Sequence, residues 1–377
     1  MRIGIDIRDL KTATTGQKTY LEEICRVFKQ QAGVAYQFYF FDTFIPTFRG
    51  KNKLTKLLEQ ANLHFWKQCV LPFKAALKRC DVLLCTDYFV PYFHPGFKTV
   101  AVFHDAFFFE NKDHYHPLFI WLFKHIALPS AGRCSYIIVP SDYAKKQVSK
   151  YYTCLPVSKL VTIYEGPKSL PQKHEPSIHA AVLNRLGIQP KKYLLHVGVM
   201  NKRKNIPFLI NAYKKLREAG NDYKLVLAGS LYTSQYIDNS ESILAAIAAK
   251  QLQKDVILTG YLSNEELAVI YQNAFMYVFP SLNEGFGLPV VEAWGYGLPV
   301  IVANNSCLPE IGADAVLTFD PFDEMDLLSK MQAVIGHTDT RTQLEQKGKA
   351  RLTDFSWEKT AAEILALFSS LSKNDVT

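Results

Sequence analysis

The sequence predicts an α/β chain of two domains, each an alternation of short buried strands and helices. Three observations predict it. The 377 residues exceed one ordinary domain and suit two. Short apolar runs recur along the chain, each ending in a polar or glycine-bearing loop before a helix start. The most pronounced of these units, 280–304, places a glycine loop directly before a helix N-terminus. With 48% hydrophobic and 21% charged residues the chain has ample core, and it shows no disordered tract or internal repeat. No apolar run reaches the ~18 residues of a membrane span. The opening MRIGIDIRDL reads as a strand with early charges rather than a signal peptide. Seven scattered cysteines without a C-x-x-C pair fit the reduced thiols of a cytoplasm, not a disulfide frame or metal site.

In chain order, a strand over 2–7 leads into a loop holding Thr14, Thr15 and Gly16, and a helix follows from about Lys18. Residues 51–79 interleave cations and apolar side chains. Leu54, Leu57, Leu58, Ala61 and Phe65 recur at helical spacing, and Pro72 breaks or kinks that helix. Such a stripe is more often core than an interfacial face, and the composition fits both. Buried strands follow at 81–85 and 99–103. The second ends in His104 and Asp105, at the strand end where open α/β sheets place ligands. Asp105 stands where it can fix the orientation or tautomer of His104. A strand over 136–140 precedes a helix capped by Ser141, 161–166 closes the first domain, and the proline-rich 167–190 reads as linker.

The second domain opens with a strand over 193–197, then Gly198 and the run Lys202-Arg203-Lys204-Asn205 before a helix start. Three cations beside a glycine at a helix start make an anion cradle, without the pattern of a P-loop. Strand-loop-helix units at 225–230 and 256–262 come next, the latter ending in Tyr261 and Leu262. A strand over 275–279 then enters the central unit. Gly285 and Gly287 clear side chains from the loop, and Leu288-Pro289 opens the helix, since proline lacks only an N–H that the first turn leaves unbonded. Glu284 lies just before this helix and Glu292 about one turn inside it. Helix-end N–H groups suit a diphosphate. A carboxylate repels phosphate but accepts hydrogen bonds from sugar hydroxyls, so two carboxylates flanking an anion site describe a nucleotide sugar. The last helix, from about Trp357, has Ala361, Ile364, Leu365 and Phe368 on one face.

The segment Glu284-Gly285-Phe286-Gly287-Leu288-Pro289-Val290-Val291-Glu292, with the later Gly-x-Pro-Val, resembles the signature of family 4 of the retaining glycosyltransferases. These are mannosyltransferase-like group 1 glycosyl transferases of GT-B architecture. The resemblance covers nearly the whole chain and is strongest in the second half. It implies two Rossmann-like domains facing across a cleft, 1–175 for the acceptor and 176–355 for the donor, with 356–377 returning to the first. It implies that Lys204 and Arg203 clamp the donor diphosphate, while Glu284 and His104 act at the transferred sugar. Glu292, Gly285, Phe286, Gly287, Leu288 and Gly198 would hold the donor, with Tyr261 and Leu262 near the base. The loop of Gly16, followed by the family's tyrosine at Tyr20, would close over the donor diphosphate or the acceptor. Two departures stand out: Val199 replaces an arginine found in some relatives, and the first loop has one glycine where many have two. The implied reaction is transfer of a hexose, from GDP-mannose or a UDP-hexose, to an acceptor hydroxyl with retained configuration. Neither cofactor nor metal is implied, and no D-x-D motif stands at a strand end. A sugar-nucleotide epimerase of the same architecture, or an inactive sugar-nucleotide-binding relative, is the alternative. The basic element and both glutamates speak against each.

Charge is uneven. Residues 1–180 hold 24 Lys and Arg against 14 Asp and Glu, a net of +10, and the remainder 19 against 21. A basic first domain points to an anionic acceptor, most simply a lipid-linked glycan met at an anionic membrane surface on its cytoplasmic face. No nucleic-acid partner is expected.

Overall fold

The structure, a computed structural model, describes residues 1–13, 16–43, 53–107, 117–171, 176–231 and 238–373. Thr14 and Thr15 of the first loop lie outside the described residues. The chain divides into two compact units. The first is Met1–Glu165 together with the stretch from Trp357; the second is Gly166–Ser356. The crossing at 165/166 comes ten residues before the boundary placed at 175/176 from the sequence.

The first unit is built on six parallel strands: β1 (Arg2–Asp6), β2 (Gln37–Phe41), β3 (Val82–Cys85), β4 (Lys98–Val102), β5 (Tyr136–Val139) and β6 (Leu160–Thr162), in the order β2-β1-β3-β4-β5-β6. β2, whose run Gln-Phe-Tyr-Phe-Phe lies at the sheet edge and is only partly buried, has no counterpart among the strands expected from the sequence. The second sheet has β7 (Tyr193–Val197), β8 (Lys224–Ala228), β9 (Val256–Gly260), β10 (Met276–Phe279), β11 (Val300–Ala303) and β12 (Leu317–Phe319), ordered β12-β11-β10-β7-β8-β9. Helices on both faces explain why Val82–Cys85, Met276–Phe279 and Val300–Ala303 are apolar throughout and buried along their length. In the second sheet the strand order reverses between β7 and β10; in the first, between β1 and β3. Loops leaving those strands at their carboxyl ends splay apart, which opens a crevice at each switch point.

The final helix, Trp357–Lys373, belongs to the first unit, where it packs on the helix Gly16–Gln30. Its predicted face, Ala361, Ile364, Leu365 and Phe368, is buried.

Two expectations are corrected. Residues 167–190 are not linker throughout: Pro176–Leu186 is a helix that buries Val182 and Leu183 and packs on the helix Asn264–Asn273. Pro176 starts that helix instead of interrupting the chain, as proline does in a first turn.

The second correction concerns 51–79. This stretch is helical from Lys53 to Leu77, with a π-turn at Trp66–Val70, and the apolar stripe does not face the core. Leu57, Ala61, Phe65, Cys69, Phe73 and Leu77, spaced by four, are all exposed; Phe65, Phe73 and Leu77 are 54%, 64% and 66% accessible. The wide π-turn takes back the drift that a spacing of four accumulates on a helix of 3.6 residues per turn, so the ridge stays on one side. The inward face carries Trp66, Leu71 and Ala75 into the core together with a set of polar partners. Trp66 Nε1 donates to Asp6 Oδ1 at 3.1 Å. Lys67, 1% accessible, pairs with Asp6 at 2.6 Å and with Asp87. Burial works against the Lys67 charge, but the two carboxylates outweigh it and raise its pKa well above the usual lysine value. Asp6 ends β1 and Asp87 follows β3 at the switch point, so the buried face of the helix combines apolar side chains with one charged cluster.

Candidate active site

The second unit gathers its charges at the β7/β10 switch point. Gly198 follows β7 with φ +154°, and its carbonyl oxygen would lie 2.1 Å from a Cβ on Gly229, so both loops need glycine there. The basic run forms a 3-10 turn, Lys202–Lys204, ended by Asn205 in a left-handed conformation before the helix Ile206–Glu218. That turn points Lys202 to solvent and Lys204 inward. From β10, Ser281 and Leu282 bond back to the same turn: Leu282 N donates to Arg203 O at 2.8 Å. The two loops are thereby fastened together.

Glu284 is the meeting point. Its Oε1 accepts from Lys204 Nζ at 2.5 Å and from Ser281 Oγ at 2.5 Å, and its Oε2 is 4.0 Å from Arg203 Nη2. Lys204 also lies over the Phe279 ring, 4.5 Å from its centroid. Both partners are buried. Burial pushes Glu284 up, yet Lys204 and Arg203 win and hold it below the usual carboxylate range. Burial lowers Lys204, opposed by Glu284 and assisted by Arg203. Behind them His196 is fully buried, its Nδ1 bonded to Val278 O at 3.1 Å, and burial plus the Lys204 charge push it down to about 3. It is therefore a neutral wall beside Lys204.

The signature loop turns at Gly287, φ +95°, where a Cβ would stand 3.0 Å from Leu308 Cδ2. The helix Leu288–Gly295 starts there with Pro289 in its first turn. Gly285 and Leu288 are half-buried. Phe286 packs edge-on against Phe355 and is buried, so it offers its backbone to the loop while its ring supports the core. Glu292 is buried in the helix, its Oε2 accepting from Tyr271 at 2.9 Å; burial raises its pKa despite Tyr271 and Lys168. Tyr261 is exposed at the turn after β9 and Leu262 is buried.

In the first unit Gly16 is the first residue of the helix Gly16–Gln30. His104 follows β4, with Nε2 3.1 Å from Thr86 O and Nδ1 3.6 Å from Glu165. The Tyr20 ring meets it edge-on at 5.1 Å. Asp105, the expected orienting group, accepts instead from Tyr88 OH and Phe107 N. Glu165 was missed because its signal is slight: one carboxylate before a glycine where the last strand of the first unit runs out. Ser281 and Tyr271, which hold Glu284 and Glu292, had no signal beyond being polar in apolar company.

With this geometry in view, residues 183–351 match the family model for glycosyl transferases group 1, a span that contains Arg203, Lys204, Glu284 and Glu292. The second unit therefore carries a group 1 glycosyl transferase domain. O-antigen chain mannosyltransferase B of Escherichia coli is 28% identical over 280 residues, which cover 73% of this glycosyltransferase and 71% of that relative. The serotype-specific mannosyltransferase WbdA of Escherichia coli is 28% identical over 75% of this chain but only 34% of its own, longer one. The fold matches the crystal structure of Anabaena HepE in complex with UDP and glucose, with a TM-score of 0.72 and 16% identity over 98% of this chain and 100% of that one. The glycosyltransferase thus has the GT-B fold expected of it.

Proposed function

We propose that this enzyme transfers a hexose, mannose first among candidates, from GDP-mannose or a UDP-hexose to a hydroxyl of an anionic, lipid-linked glycan. The anomeric configuration is retained, and the product serves polysaccharide or cell-envelope assembly. The observation that carries the reading is the buried Lys204–Glu284 pair beside Arg203 at the β7/β10 switch point. A donor diphosphate reaching that crevice would take over Lys204 and Arg203, which stabilise the leaving group's developing charge. Glu284, released from Lys204, would accept hydrogen bonds from the sugar hydroxyls. Glu292, with one oxygen committed to Tyr271, would use the other for the ribose. The second unit is then the donor domain and the first the acceptor domain, with His104 facing the transferred sugar. The mannosyltransferase relatives support mannose and an envelope glycan. The test is a panel of nucleotide sugars, scored by thermal shift and by transfer, with the product's anomeric linkage read by NMR. Absence of transfer from every GDP- and UDP-hexose, or an inverted product, refutes the reading.

Metal-independence is part of the proposal, because Arg203 and Lys204 supply the charge that Mg²⁺ provides elsewhere. Activity should survive excess EDTA. Abolition by EDTA and restoration by Mg²⁺ or Mn²⁺ would assign the diphosphate to a metal instead.

The enzyme would work at the cytoplasmic face of a membrane. No helix among the described residues is long and apolar enough to cross one, but the exposed ridge Leu57–Leu77 is flanked by Lys78 and Arg79 on the basic domain. An apolar ridge bordered by cations is the composition of an interfacial helix. Sedimentation with vesicles should require anionic lipid and weaken as salt shortens the Debye length toward ~8 Å. Indifference to such vesicles at low salt would point to a soluble acceptor.

A further inference from the structure

His104 is held by two acceptors. Thr86 O lies 3.1 Å from Nε2, and a carbonyl oxygen can only accept, so Nε2 carries a proton. On the other side the Glu165 carboxylate lies 3.6 Å from Nδ1, at ion-pair distance. A lone pair facing a carboxylate repels it, whereas an N–H⁺ attracts it. Both ring nitrogens thus face acceptors, and both point into the protein. The side chain of Glu165 is 5% accessible and that of His104 17%, so the interaction is little screened by water.

Tyr20 presents its ring edge-on. Asp105 adds a second negative field while bonding to Tyr88 and Phe107. Burial disfavours the charged imidazole, but Glu165, Thr86 and Asp105 together raise the His104 pKa above its ordinary value. Glu165 is also the last residue of the first unit, where the chain leaves for the second. At the chain's return, Trp357 touches the far side of Tyr20, ring centroids 5.3 Å apart. Both crossings of the chain thus brace the His104 ring.

We propose that Glu165 is a positioning residue for this glycosyltransferase: its carboxylate fixes the His104 ring and keeps it doubly protonated, so that His104 acts as a fixed cation and not as a proton acceptor. This rests on the reading that His104 faces the transferred sugar. A cation there lowers the energy of the negative charge that builds up on the diphosphate as the sugar–diphosphate bond breaks and its electron pair goes to the leaving oxygen, and no proton need move to or from the ring. The sign of the pH dependence follows. A histidine pKa raised in the folded chain leaves the charge present below that value and lost as pH rises through it. Turnover should fall on the alkaline side, and that fall should move to lower pH when the carboxylate is neutralised.

The experiment uses the full chain with a donor found in the panel above. His104→Ala should cost roughly 100-fold in kcat with little change in affinity for the free nucleoside diphosphate. Glu165→Gln, nearly isosteric, should keep the acidic-side kcat and donor KM and shift the alkaline limb of kcat to lower pH. On the unaltered enzyme, ¹⁵N-histidine NMR, with the His104 signals assigned by their loss in His104→Ala, should show two protonated ring nitrogens at neutral pH. Wild-type turnover in His104→Ala removes the reading of His104 itself. A slow His104→Ala enzyme combined with an unshifted Glu165→Gln profile, or a neutral His104 ring in the NMR spectrum, overturns the role of Glu165 alone.

Discussion

Lys204→Ala should reduce turnover by ~100-fold or more, and Glu284→Ala should do the same, the scale of losing one preorganised charge contact in the transition state. Lys204 is buried, lies over Phe279 and is carried by a turn whose carbonyl is bonded to the facing loop. An ammonium so placed needs little reorganisation when the diphosphate arrives. In the Lys204 variant Glu284 keeps Ser281 Oγ but faces only the more distant Arg203, so the site retains its shape and loses its nearest cation. Glu292→Ala differs: Tyr271 loses its acceptor and, on the proposed reading, the ribose its partner, so donor affinity should fall while turnover at saturation holds. Steady-state kinetics on the three variants, with calorimetry for the nucleoside diphosphate, separates these outcomes. Wild-type turnover in Lys204→Ala removes this lysine from the mechanism.

Lys67→Met should produce the largest loss of stability, ~3–5 kcal/mol, as expected when one member of a buried ion cluster is deleted and its partners are left uncompensated. Here the stranded groups are Asp6 and Asp87, both nearly inaccessible. For a unit of this size the loss corresponds to a drop on the order of 10 °C in its unfolding midpoint. The damage should be largely reversed in the triple variant Lys67→Met, Asp6→Asn, Asp87→Asn, because neutral amides do not carry the same desolvation cost. Calorimetric scans of the two variants decide the matter. If Lys67→Met melts like the parent, the inward face of the helix is not held by charge. The same cluster helps to turn the apolar ridge outward.

The sequence by itself determined most of the strands, the glycine loop of the central unit and the basic element. Runs such as Met-Tyr-Val-Phe and Val-Ile-Val-Ala can only be buried, and the Pro289 and Gly287 positions dictate a helix start and a left-handed turn through local sterics alone. The paired glutamates and Lys204 were legible because their spacing along one strand-loop-helix unit is itself local. Only the tertiary structure decided what depends on partners far apart in the chain. Glu165 is 61 residues from His104 in number, and the ring's protonation follows from their meeting. Helix 53–77 has an apolar stripe that a local reading turns inward. Its orientation is set by what the opposite face meets: Trp66, Leu71 and Ala75 enter the core while Lys67 reaches Asp6 and Asp87, carboxylates that are costly to bury without a cation.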